Sequence, residues 1–289
     1  MLNGLYRTIQ PGTKVSASLP MVRRQARPGW VAIDFAELWR YRELIVFYAL
    51  RDIKVRYKQT LLGVAWAVLQ PVLTMVVFSI FFGRLAGVPS DGIPYPIFAY
   101  CGLVPWQLFS YALTQSSSRI VEDAQVITKV YFPRLIVPLA SVIAGLIDFS
   151  IALLTLAVMM LYYGIPLSWA IVTLPLFTAL ALTAALAVGL WLSALNVRYR
   201  DVRYTIPFLA QFWLFVTPVA YSSSLVPPQW QALYGINPMV GVVNGFRWAL
   251  LGKTPPDPML LVSVIATGVL LTGGLFYFRR MEKSFADII

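Results

Sequence analysis

The stretch Arg51–Pro71, RDIKVRYKQTLLGVAWAVLQP, decides the fold. Arg51 to Lys58 carries four basic side chains and one acid, and from Leu61 the charge is gone. A helical membrane crossing needs about 20 mainly apolar residues to cover roughly 30 Å of hydrocarbon. Leu61–Phe82 supplies such a run directly behind a cationic segment. Basic residues beside a span belong on the cytoplasmic face, where anionic lipid attracts them.

The composition extends this reading to the whole chain. Of 289 residues, 59% are apolar and 12% are charged, against about a quarter charged in soluble domains. The mean hydropathy is +0.73, which points to a polytopic membrane protein. Five further segments qualify as spans: about Tyr95–Leu113, Leu135–Tyr163, Trp169–Leu195, Thr205–Tyr221 and Met259–Phe278. The second and fifth are short and contain Pro105 and Pro218. Helix is the form expected, because unpaired backbone groups are not tolerated in lipid. The expected fold is therefore all-α, with six transmembrane helices.

The net charge of +11 fits either nucleic acid or an anionic membrane face. Its distribution selects the membrane. With the N-terminus inside, 20 of the 23 Lys and Arg residues fall on inner segments, and only Arg84, Arg247 and Lys253 fall outside. Both termini are then cytoplasmic. No secretory signal is read before Leu61. Residues 1–30 read as a loose cytoplasmic tail, 31–60 as an amphipathic interface helix and 61–289 as a six-span transmembrane domain. Cys101 is the single cysteine and there is no His, so an internal disulfide is excluded and the commonest general base is missing. No metal site is expected.

In the interface segment, Val46, Leu50, Ile53 and Tyr57 share one helical face, while Arg51, Lys54 and Lys58 share another. Such a helix lies along the membrane surface. The basic residues Arg51, Lys54, Arg56 and Lys58 either hold anionic lipid or frame a port for a lipid-linked anion. Deeper, Gln70 beside Pro71 faces a partner helix or a wet cavity. Trp66, Gln70 and Phe78 are compatible with a channel-facing stripe, as are Phe208, Gln211, Phe212 and Phe215 in the fifth span, with Tyr221 at its end. Rings and amides suit a sugar chain: ring faces pack on C–H groups and amides exchange hydrogen bonds with hydroxyls. Asp148 is the only acid within a span and is expected to pair with a backbone or hydroxyl donor.

Between the fifth and sixth spans two short helices are expected. Pro228 opens one that Gly235 ends. Asn237 caps the next, with Pro238 in its first turn and Gly252 as its stop. At about 21 Å the second is too short to cross, so both dip into the outer leaflet, with Arg247 turned to water or a partner. Gly252-Lys253-Thr254 resembles the end of a P-loop, but the required first Gly is Arg247 and two prolines follow. ATP binding by this chain is not expected. On the inner side, Ser116–Tyr131 contains Glu122 and Asp123 and reads as a loop or short docking helix. Small residues at Ala181, Ala185, Gly189 and Ser193 suit close helix packing within or between subunits.

Taken in order, RYKQTLLGVAWAVLQP (Arg56–Pro71), GLVPW (Gly102–Trp106), VYFPR (Val130–Arg134), NVRYRD (Asn196–Asp201), TPVAY (Thr217–Tyr221) and INPM (Ile236–Met239) resemble the permease subunit of type-2 ABC exporters. The resemblance covers nearly all of residues 31–289, and its nearest group exports bacterial polysaccharides such as O antigens, capsules and teichoic acids. It implies a homodimer in the inner membrane on two copies of a separate ATPase, which alone binds Mg-ATP. It implies a channel lined by the first and fifth spans and a glycan cargo on undecaprenyl diphosphate. It places the ATPase contacts at the interface helix and at Ser116–Tyr131, with Arg119, Glu122, Asp123 and Lys129. It places an external gate after the fifth span, with Trp230, Asn237, Pro238 and Arg247. A type-2 exporter of drugs or small lipids is the alternative, and a membrane-embedded glycolipid enzyme is a distant third. No nucleic-acid partner is expected.

Overall fold

One long helix sets the architecture, and its neighbours follow from which of its faces are polar. In the computed structural model, which describes residues 35–58, 63–199, 201–252, 255 and 258–285, this is α4, Tyr95–Glu122, 28 residues long. Its first half is buried almost all round, from Ile97 to Trp106. It enters on Tyr95-Pro96, where a missing N–H does no harm. It then runs through Pro105 and past the predicted end at Leu113 by nine residues. The Ser117 hydroxyl bonds back to the Leu113 carbonyl at 2.6 Å.

The other described helices are α1 (Phe35–Arg40), α2 (Arg42–Tyr57), α3 (Gly63–Phe78), α5 (Ala124–Lys129), α6 (Ile136–Ala144), α7 (Leu146–Tyr162), α8 (Leu174–Arg198), α9 (Val202–Val216), α10 (Pro228–Tyr234), α11 (Pro238–Leu251) and α12 (Pro258–Glu282). The described structure is all-α. Among the described residues, four continuous helical runs are long and apolar enough to cross a membrane: Gly63–Leu85, Ile136–Tyr162, Trp169–Arg198 and Pro258–Glu282. The first ends in a π-helical turn, Ser79–Leu85, and the second is interrupted at Gly145 between α6 and α7. Outward-facing Leu154, Val158, Leu161, Leu176, Leu261 and Val269 are exposed. That surface is a liability in water and is satisfied by lipid.

Ala32–Ile289 forms one compact unit, and the predicted tail lies outside the described residues. Within it α8 packs along α4, and α12 packs on α8. The small-residue stripe makes this close approach possible. Ala181, Ala185, Gly189 and Ser193 are fully or nearly fully buried. A Cβ at Gly189 would lie 2.0 Å from the Ser116 Oγ on α4, so the stripe serves packing within this chain. α3, α6, α7, α9 and α11 also pack on α4, and α2 rests on α6.

The fifth span differs most from expectation. α9 has 15 residues and stops at Thr217, where the backbone turns extended before Pro218. Proline disfavours helical geometry in the residue before it, so Tyr221 lies beyond the helix.

A polar recess between an ion-pair cluster and a capped hairpin

Beside the C-terminal end of α4, α2 has three faces rather than two. Val46 and Leu50 are exposed, as a lipid-facing side requires, and the Lys54 and Lys58 side is exposed too. The packed side carries Tyr48, Ala49 and Asp52. Asp52 is 5% exposed and is the hub of a charge cluster. Its Oδ1 accepts from Arg119 at 2.7 Å and from Arg51 at 3.1 Å. Arg51 also donates two hydrogen bonds to Asp123, at 2.7 and 3.1 Å, and Arg119 reaches Glu122 at 3.2 Å. Burial lowers the Arg51 pKa, but the hydrogen bond and charge of Asp123 outweigh that and hold it above its ordinary value. Arg119, Glu122 and Asp123 are thus brought together, and Lys129 stands exposed on α5. Arg51 and Arg56 are engaged with acids, which differs from a free basic port. Lys54 and Lys58 stay outward.

Arg56 pairs with Asp148 at 2.6 Å and lies over the Tyr111 ring at 4.6 Å. The Tyr57 hydroxyl donates to the other Asp148 oxygen. Burial and this carboxylate raise the Tyr57 pKa to about 12, so the phenol keeps its proton at neutral pH. The hydroxyl donor expected for Asp148 is present, joined by a guanidinium.

Above this pair opens a recess of about 370 Å³ between α3, α4 and α7. Trp66, Gln70, Gln107, Ser110, Thr114 and Gln115 line it. The last four form a polar stripe along α4 at helical spacing. Trp66 and Gln70 are exposed toward the recess. Phe78 is not: it is 7% exposed and packs edge-on to Phe82 at 5.3 Å. Four-residue steps advance about 40° each on an α-helix, so by Phe78 the supposed stripe has turned about 120° from Trp66 into the core. On α9, whose Leu214 borders the same recess, Phe208, Phe212 and Phe215 are 70%, 59% and 52% exposed, and Gln211 is exposed with them. Trp213 turns inward and donates to Asn237 at 2.9 Å.

Toward the opposite end of α4, α10 and α11 begin at Pro228 and Pro238. The Asn237 side chain accepts from the Met239 N–H at 3.1 Å, and its amide donates to Thr217 at 3.1 Å. Gly252 closes α11 at φ +67°, a left-handed conformation that favours glycine. Trp230 is exposed on α10. The Tyr221 hydroxyl shares a 2.9 Å hydrogen bond with Tyr234 and bonds the Phe215 carbonyl, which fixes it to the hairpin rather than to an open channel wall. The partner expected for Arg247 is the backbone. It donates to the Val219 carbonyl at 2.8 Å and the Tyr221 carbonyl at 3.2 Å, with its guanidinium 3.6 Å from the Phe98 ring centroid.

Long apolar helices around an amide-rich recess, fastened by ion pairs at one end and a capped hairpin at the other, define a multi-pass membrane transport protein. Residues 43–251 match the ABC-2 type transporter family, and the chain belongs to it. It is 32% identical over 259 residues to the O-antigen export system permease protein RfbA of Myxococcus xanthus, covering 88% of this chain and 98% of that one. A Klebsiella pneumoniae protein of the same description is 29% identical over 250 residues, 86% of this chain and 95% of its own length. The polysialic acid transport protein KpsM of Escherichia coli is 24% identical over 241 residues, 81% and 92% of the two chains.

Proposed function

We propose that this chain is the membrane half of an ATP-driven exporter that carries an undecaprenyl-diphosphate-linked polysaccharide, O antigen above all, across the bacterial inner membrane. The observation that carries the reading is the uncovered face of rings and amides on α3 and α9, Trp66 and Gln70 with Phe208, Gln211, Phe212 and Phe215. Side chains of this kind slide along a glycan without holding it at one point. Relatives named for O-antigen export and polysialic acid transport, similar over most of their length, support the same cargo class.

In this reading the six spans are Gly63–Leu85, α4, α6 with α7, Trp169–Arg198, α9 and α12. Both termini are cytoplasmic, from the distribution of Lys and Arg. Two copies enclose the conduit, and two copies of a separate ATPase bind Mg-ATP beneath them. Lys54 and Lys58 draw the lipid diphosphate to the inner surface while membrane lipids hold α2, and Arg51 and Arg56 stay with their acids. Arg119, Glu122, Asp123 and Lys129 receive the ATPase movement. Trp230, Asn237, Pro238 and Arg247 belong to the external gate hairpin.

The test is reconstitution with the partner ATPase in vesicles holding lipid-linked glycan. ATP-dependent appearance of glycan on the far side is expected. Transport of drugs or free lipids with no movement of glycan overturns the cargo assignment.

A further inference from the structure

A second cavity, about 340 Å³, lies where α10 and α11 meet the segments on either side. It sits at the start of α4, while the Asp52 cluster sits at its end. At the α-helical rise, 28 residues separate them by about 42 Å. The family resemblance gives Arg247 to an external gate but assigns the cavity itself no ligand.

Its lining is chemically mixed in a specific way. Asp91 holds a left-handed backbone at φ +53°, and its carboxylate accepts from Ser222 at 2.5 Å and Ser224 at 3.2 Å. The two hydroxyls are 2.9 Å apart. Gln231 donates a long 3.4 Å bond to the Val226 carbonyl, which leaves its own carbonyl and a second N–H for other partners. Asn244 adds a second amide and Trp248 an aromatic ring. At the floor is Arg247, 7% exposed, whose Nε is buried with no hydrogen-bond partner.

Charge decides which ligand fits. A carboxylate lies at the rim and a guanidinium at the floor, so the cavity carries no large net field. A phosphate or sulfate would meet Asp91, and an amine would meet Arg247. A neutral polyol meets neither repulsion. Its hydroxyls donate to Asp91 and to the amide carbonyls, accept from the amide N–H groups and from Arg247, and its C–H face packs on a ring. The volume is at the low end of small-molecule sites, about 300–1,000 Å³. That admits a short piece of a sugar chain and excludes a long lipid tail.

We infer that this cavity is an outer carbohydrate-binding vestibule, which holds a neutral sugar unit of the exported chain beside α10 and α11 as it leaves. The inference rests on the glycan cargo argued above, and its test separates the two. p-Benzoyl-phenylalanine is placed by codon suppression at Ser223 or, independently, at Gln231, in cells exporting their own glycan. A third position, Phe212, tests the α9 face, and Leu233 on α10, outside the cavity lining, is the control. Irradiation followed by blotting for the glycan reports covalent capture by the permease. Capture at Ser223 or Gln231 and at Phe212, with none at Leu233, is expected. Capture at Phe212 alone, from variants of normal abundance, overturns the vestibule and leaves the cargo assignment standing. Capture at none of the four overturns both. Asn244→Ala and Gln231→Ala, each removing a single amide, are expected to lower the rate of glycan appearance about tenfold, the equivalent of about 1.4 kcal/mol. Full export rates in both variants count against the site.

Discussion

Asp52→Asn tests what holds the interface helix to the membrane domain. Asp52 is buried and takes hydrogen bonds from Arg51 and Arg119, while those arginines keep Asp123 and Glu122 as second partners. Removing one member of a fully buried ion pair costs about 3–5 kcal/mol. Here the arginine side chains are 29% and 19% exposed, so water and the remaining acids recover part of that, as at surface pairs. About 2 kcal/mol remains, or roughly a 30-fold rise in the local opening of α2. Hydrogen exchange of the α2 amides in the purified permease reads this directly, with the α8 amides as an internal reference. An Asp52→Asn/Arg119→Gln double variant should lose less than the sum of the single losses, because the two changes remove one shared contact. A change below about threefold in α2 protection refutes the reasoning. α2 would then be held by the packing of Tyr48 and Ala49 and by the Asp123 and Asp148 contacts, without Asp52.

Trp66→Ala and Phe212→Ala should slow glycan export severalfold without lowering protein abundance, since both side chains are exposed in this chain; export at the normal rate would make them packing or lipid-facing residues. Gly189→Ala should lower the unfolding temperature in detergent, because the new Cβ meets Ser116 Oγ at 2.0 Å. Adding Ser116→Ala should restore part of the loss, and a temperature unchanged by either substitution would deny the close approach of α4 and α8. Arg247→Lys should destabilise the α11 hairpin by about 2 kcal/mol, because lysine cannot bond two carbonyls while stacking flat on Phe98; equal protease resistance of the two proteins would contradict that.

What was legible in the sequence is what local chemistry fixes. Proline at a first turn, an asparagine cap and a terminal glycine placed α10 and α11 before any coordinates. The absence of acids from the spans made Asp148 conspicuous, and it does have partners. What escaped was set by packing. The sequence places the end of the second span at Leu113, yet α4 continues to Glu122, with Gln107, Ser110, Thr114 and Gln115 facing a recess while Leu108, Phe109, Ala112 and Ser116 stay buried. Asp52 is the one acid in a run of basic residues, and nothing in the local sequence marks it for burial. Its burial depends on Arg119, which only the folded chain brings beside it. Phe78 lies about 120° round the helix from Trp66 at 3.6 residues per turn, so it does not share the face of Trp66 and Gln70.

α4 connects these misreadings, since it reaches every part of the candidate site. Its last turn supplies Arg119 and Glu122 to the charge cluster, and its middle lines the recess. Near its start, Tyr95 donates to the Ala220 carbonyl at 2.6 Å, and Gly102 is close enough to Arg247 that a Cβ there would lie 3.1 Å from its Nη2. A substitution anywhere on α4 can therefore change both ends at once through displacement of one rigid element. Loss of export in such a variant does not assign a role to the altered side chain. Only double-variant cycles between ends, such as Asp52→Asn with Arg247→Lys, separate transmitted effects from local ones. Additive losses in that cycle would mean the two ends act independently despite sharing a helix.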